Sequence, residues 1–209
     1  MQSRTLSREL ALLMLGQVSD RSAAPAPSAE PSMESLLIQA LTSLQQHVRD
    51  ALDRSAVDLE QAQRQLLDSE LQDEGEQRLP RVREHLRAGL SQAEQALNRL
   101  SASLELPRLL LLADQQEVRR GAIARAGAVL RDRAGIDARL DAVMEGWRLT
   151  RLPRIDRDIL RLAVADLESF DTPPAVACNE AVELANRYSD EQGRRMINGV
   201  LRRFTAAHV

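Results

Sequence analysis

Aromatic residues are almost missing from this chain: one Trp, one Tyr and two Phe make up 2% of its 209 residues. Val, Ile and Thr are sparse too, at 12, 6 and 5. Sheets draw on these residue types, so a large sheet is excluded. Lysine is absent, and all 28 basic residues are arginine. The single cysteine, Cys178, cannot close an internal disulfide or build a thiolate metal cluster. It fits a reducing, cytoplasmic setting. His47, His85 and His208 are far apart and follow no HxxxH or HExxH pattern, which argues against a zinc site. No run of 18 apolar residues occurs, so no spanning helix and no membrane partner are expected. The apolar stretch Leu10–Leu15 is short and bordered by Glu9, which argues against a secretory signal.

What is present is 44% hydrophobic and 28% charged, enough for a packed core. The net charge of −3 hides an uneven distribution. Residues 33–105 carry 8 Arg against 13 acids, whereas residues 106–209 carry 17 against 15. An anionic partner would therefore meet the second half or the extreme N-terminus, not the middle.

Periodicity divides the chain into four parts. Residues 1–18 hold a short amphipathic helix, with Leu6, Leu10 and Leu13 spaced by three or four. Residues 19–32 form a linker with three prolines. In residues 33–105, Ile38, Leu41, Gln45, Val48, Leu52, Ser55, Leu59, Ala62 and Leu66 step by three and four, as in a coiled-coil seam. A polar break at 73–77 precedes a second seam at Leu86, Leu90, Ala93, Leu97, Leu100 and Leu104. The pair predicts an antiparallel helical hairpin. Residues 106–209 predict a bundle of about five helices. Its breaks fall at Gly135, Pro153 and Pro173-Pro174, and Ser189-x-x-Gln192 reads as a capping box.

Catalytic chemistry is not in evidence. No Gly-rich phosphate loop, GxGxxG or GxSxG occurs, so no enzyme activity and no cofactor are expected. Cys178 sits among Val176, Ala177, Ala181 and Val182 and reads as a small buried hydrophobe. The basic residues are more informative. Arg4 and Arg8 share a face of the first helix, and Arg154, Arg157 and Arg161 share one of a later helix. Arg194-Arg195 and Arg202-Arg203 recur about two turns apart. Converging, these faces would make a patch for a nucleic-acid backbone; apart, they are solvated helix surface.

Three segments carry a family resemblance. Leu152-Pro153-Arg154-Ile155-Asp156-Arg157-Asp158-Ile159-Leu160-Arg161-Leu162-Ala163 is similar to the acidic-residue-then-LR helix of the NusB family of transcription antitermination factors. Pro173-Pro174-Ala175-Val176-Ala177-Cys178-Asn179-Glu180-Ala181-Val182-Glu183-Leu184-Ala185 resembles its P-x-x-V-A-I-N-E-A-V-E-L-A segment, and Ile197-Asn198-Gly199-Val200-Leu201 resembles its closing V-N-G-V-L. The resemblance covers about residues 3–18 and 107–206. It implies an all-α fold, a NusB-like two-part helical bundle, here with an inserted hairpin. It also implies a factor that binds boxA-like RNA of ribosomal RNA leaders with NusE, a small ribosomal subunit protein, within the RNA polymerase antitermination complex.

Carried over residue by residue, the family's RNA-binding positions fall on Arg4, Arg8, Gln192, Arg195 and Met196. Met196 stands where the family has an aromatic and Gln192 where it has an acid, so base stacking is replaced by soft apolar contact. The acid that faces NusE falls on Asp156, and an aromatic of the first-helix interface falls on Gly16. The rival reading is a protein–protein adaptor of the same fold with little RNA binding of its own. The acidic 33–105 segment reads as an appended docking arm or a self-association surface, and a homodimer stays open.

Overall fold

The structure, a computed structural model, describes residues 2–18, 32–70, 78–103, 115–146 and 148–208. Every long element among them is an α-helix: α1 Gln2–Gln17, α2 Met33–Glu70, α3 Arg78–Ser103, α4 Gln116–Arg131, α5 Arg133–Val143, α6 Arg154–Ser169, α7 Pro174–Tyr188 and α8 Glu191–His208. A single 3-10 turn, Leu149–Arg151, precedes α6. The all-α expectation holds. The linker residues 19–31 and the polar break at 73–77 lie outside the described residues. The chain divides into two compact units, Met1–Ala40 with Leu112–Val209, and Leu41–Leu111.

In the first unit, α1 is set deep. Ser7, Arg8, Glu9, Leu10, Ala11, Leu12, Met14 and Leu15 are all buried, far more than one amphipathic stripe. The helix packs on α4 and α6. Gly121 of α4 permits this approach, because a Cβ there would stand 2.9 Å from the Ser7 side chain. On α4 the buried row is Val118, Ala122, Ala126 and Val129, and on α8 it is Ile197, Val200, Leu201 and Phe204. Both follow the helical period. From Ile159 to Asp166, α6 is buried on every side.

The break between α4 and α5 falls at Asp132, not at Gly135. Asp132 leaves helical geometry at φ −120°, ψ 29°, while its carbonyl accepts the Ile136 amide at 2.9 Å. Gly135 lies inside α5, and its missing side chain leaves room for the Asp132 carboxylate. The expected Ser189 capping box is also displaced. Asp190 caps α8, accepting the Gly193 amide at 2.7 Å, while Ser189 bonds elsewhere.

The second unit is an antiparallel hairpin of α2 and α3. His85 meets Gln65 at 2.7 Å, Gln92 meets Gln61 at 3.4 Å, and Arg99 pairs with Asp58. The seams keep the expected Ser55 and Ala62, but Ala51 takes the place of Leu52, and Gly89 and Ala96 take those of Leu90 and Leu97. Buried on this stretch of α2 are Leu44, Ala51, Ser55 and Ala62, and on α3 Gly89 and Ala96. A Cβ on Gly89 would lie 3.2 Å from the Ala62 carbonyl, so backbones approach closely where the small residues meet. Large leucines are displaced outward: Leu52 is 48% exposed, Leu90 70% and Leu97 64%.

The first unit is tied by charge as well as by apolar packing. Asp166 on α6 is 1% exposed. It accepts from Arg8 Nε of α1 and from Arg125 Nε of α4, the latter at 2.8 Å. The Arg125 guanidinium also lies 4.7 Å from the Phe170 ring centroid. Arg8 pairs further with Glu180 of α7 at 3.6 Å. Removing the shared acid would strand two buried guanidinium groups. Asp166→Ala is expected to destabilise the protein by about 3–5 kcal/mol in urea unfolding, whereas Arg4→Ala on the surface stays within about 0.5 kcal/mol.

Candidate functional site

The residues expected to meet RNA fall into two groups. Gln192, Arg195 and Met196 lie at i, i+3 and i+4 on the first turns of α8, so they share one face. Gln192 and Arg195 are exposed and Met196 is half-buried. The Arg195 side chain keeps 77% of its surface. Glu191 accepts from both Arg194, at 2.6 Å, and Arg195, at 2.9 Å. The Arg194 hydrogen bond leads in holding the Glu191 carboxyl below its ordinary range, so Glu191 stays ionised beside the basic pair. One turn further along the same face, Gly199 opens onto free space.

Arg4 and Arg8 separate. Arg4 is exposed, but Arg8 is 3% exposed with its guanidinium committed to Asp166 and Glu180. A phosphate could reach Arg8 only by breaking that buried pair, so the expected contact gives way to an internal one. Around Arg8, Thr5 donates to Glu180 at 3.0 Å, and the buried Glu9 accepts from Arg187 and from the Tyr188 hydroxyl at 2.7 Å. These side-chain ties run from α1 to α7.

Asp156, expected to face a protein partner, is 2% exposed. Its Oδ1 accepts the Ser189 hydroxyl at 2.6 Å, and a Cβ on Gly193 would come within 2.9 Å of its Oδ2. The carboxylate therefore fixes the corner between α7 and α8 and sets where the Gln192–Arg195–Met196 face begins. Its role is to hold the corner rather than to present an open charge.

The arginine face expected on α6 is also drawn inward. Arg154 donates to the carbonyls of Leu15, at 2.8 Å, and Val18, closing the C-terminal end of α1. Arg161, 3% exposed, lies between Asp137, at 2.6 Å, and Asp158, at 2.8 Å. Burial opposes its charge, but the two carboxylates outweigh burial and raise its pKa. Cys178 is half-buried, and burial pushes its thiol up against the weaker pull of Arg202, so it is not a poised thiolate. Among the described residues no group of three His, Cys, Asp or Glu gathers as metal ligands, and no helix is long and apolar enough to cross a membrane.

Helices clasped by buried arginine–carboxylate pairs, with an exposed polar face opening the last helix, define an all-helical scaffold. Comparison with known proteins agrees with the segments that carried the resemblance. A model of the NusB family matches residues 81–206. The Transcription antitermination protein NusB of Synechocystis sp. is 41% identical over 204 residues, covering 98% of this chain and 91% of that protein. That of Synechococcus sp. is 43% identical over 205 residues, covering 98% and 93%. A solved structure of T. maritima NusB shares 30% identity and a TM-score of 0.44, covering 49% of this chain and 76% of that one. The chain belongs to the NusB family. The match begins inside α3, and the cyanobacterial relatives align across nearly the whole chain. Residues 33–105 are therefore common ground with those relatives and not peculiar to this chain.

Tyr188 is the only tyrosine. Burial, then the Glu9 charge and hydrogen bond, raise its phenol far above the ordinary value of about 10. The folded state thus favours the neutral phenol. This contribution to stability is complete below pH of about 10 and is lost as pH rises beyond the value of the unfolded chain. A phenolate absorbance titration should show no ionisation near pH of about 10 in the folded protein, and a midpoint that coincides with alkaline unfolding.

Proposed function

We propose that this protein is a transcription antitermination factor that binds boxA-like RNA of ribosomal RNA leader transcripts together with NusE. The observation that carries the RNA part is the open face of α8, where Gln192, Arg195 and Met196 stand together at the surface. Arg195 supplies phosphate contact, Gln192 hydrogen bonding, and Met196 soft apolar contact with a base. Arg4 adds a second cation from α1. Arg8 acts indirectly, as the residue that positions α1. Pairing with NusE is proposed from family membership, with Asp156 contributing by holding the α7–α8 corner.

A second reading is favoured by Glu191. Its two ion pairs reduce the positive potential of the same face, which suits a protein–protein adaptor with weak RNA binding. Fluorescence anisotropy of a labelled boxA-like leader RNA across a salt series separates the two. Each phosphate contact contributes about 0.7 log units of affinity per log unit of salt for a single strand. Arg4→Ala with Arg195→Ala should therefore flatten the slope by about 1.4. An unchanged slope removes both residues from the site. Retention of NusE with no RNA binding, with or without NusE, establishes the adaptor reading instead.

A further inference from the structure

The hairpin of the second unit has two unlike faces. Rotation about α2 places Leu52 and Leu59 on one flank of the buried small-residue row and Asp58, Gln61 and Gln65 on the other. Rotation about α3 places Leu79, Leu86, Leu90 and Leu97 on one flank and His85, Gln92 and Arg99 on the other. The His85–Gln65, Gln92–Gln61 and Arg99–Asp58 contacts fix which flanks meet. Because the helices are antiparallel, all six leucines fall on one face and the polar pairs on the opposite one.

These leucines are 39% to 78% exposed. Leu52 and Leu59, Leu79 and Leu86, and Leu90 and Leu97 are each spaced by seven, the repeat that keeps an apolar row facing a helical partner. A layer of two helices with one apolar face requires a second layer. The six side chains leave bare about three and a half leucines' worth of surface, on the order of 500 Å². That is more than half of the roughly 800 Å² per partner that a stable interface buries.

We infer that this leucine face docks on the same face of a second copy of the chain, forming a four-helix bundle about a two-fold axis. The composition of the face selects that occupant. Both helices present leucine, so a two-fold rotation sets like on like, as an isologous interface demands. A lone helix from another protein would fill the groove between the rows and leave their outer edges bare. The paired hairpins bury both rows completely, as four-helix bundles do.

Sedimentation equilibrium of the full chain tests this. The wild type should show twice the mass of one chain at tens of micromolar. Leu90→Glu with Leu97→Glu should be monomeric with unchanged far-ultraviolet helix content, because both side chains are already exposed. Gln61→Arg on the opposite face should stay dimeric. If the double glutamate variant loses helix, Leu90→Ser with Leu97→Ser takes its place with the same expected mass. A monomeric wild type at 100-fold higher concentration overturns the inference. So does a dimer that survives these substitutions undiminished, and so does a monomer that uses this face only to capture another protein.

Discussion

One buried carboxylate governs the first unit. Asp166 reaches from the last turn of α6 to arginines on α1 and α4, so three helices separated in sequence converge on two oxygens. Glu180 joins from α7 through Arg8, and two acids then balance two cations inside the protein. Such a cluster is costly to desolvate and severe to break, so it rejects arrangements in which any one partner is missing. Apolar packing alone would let the small-residue faces of α1 and α4 slide. The guanidinium pair does not, because its directional donors must both find the same acid.

Much of this architecture is legible in the residue pattern. Helix periods, the Pro-led start of α7 and the buried row of α8 can all be read from spacing. The hairpin is legible as a hairpin, but its interface is not. Leucine spacing places Leu52, Leu90 and Leu97 in the seam, whereas Ala51, Gly89 and Ala96 occupy it beside the expected Ser55 and Ala62. Two backbones that approach closely exclude large side chains from between them, and a shift of one residue is enough to turn Leu52, Leu90 and Leu97 outward. No count of apolar residues distinguishes these two registers.

The arginines show the same difficulty. Arg8, Arg154 and Arg161 share faces with other basic residues, which reads as a surface patch, yet all three turn inward to acids or to helix-end carbonyls. A signal for this was available. Asp166 interrupts the apolar run Leu162-Ala163-Val164-Ala165, and an acid in such a run needs a cation from elsewhere. Which arginine answers it depends on tertiary distance. Asp156 behaves in the same way, because a carboxylate at the start of a helix reads as exposed until Ser189 and Gly193 close over it. Gln192, Arg195 and Met196, positions implied by the resemblance, share a face of α8 because i, i+3 and i+4 neighbours depend only on local helical spacing.

The depth of α1 also bears on how the chain is made. Its leucines leave the ribosome before the surfaces that cover them, which belong to α4 and α6, and the arginine that closes its end comes 136 residues after the carbonyl it binds. At about 5–20 residues per second, that interval is roughly seven to twenty-seven seconds. Throughout it an apolar segment stands uncovered in a nascent chain. The helix is thus synthesised well before the elements that shelter it, a delay that favours escort by a chaperone at the exit tunnel.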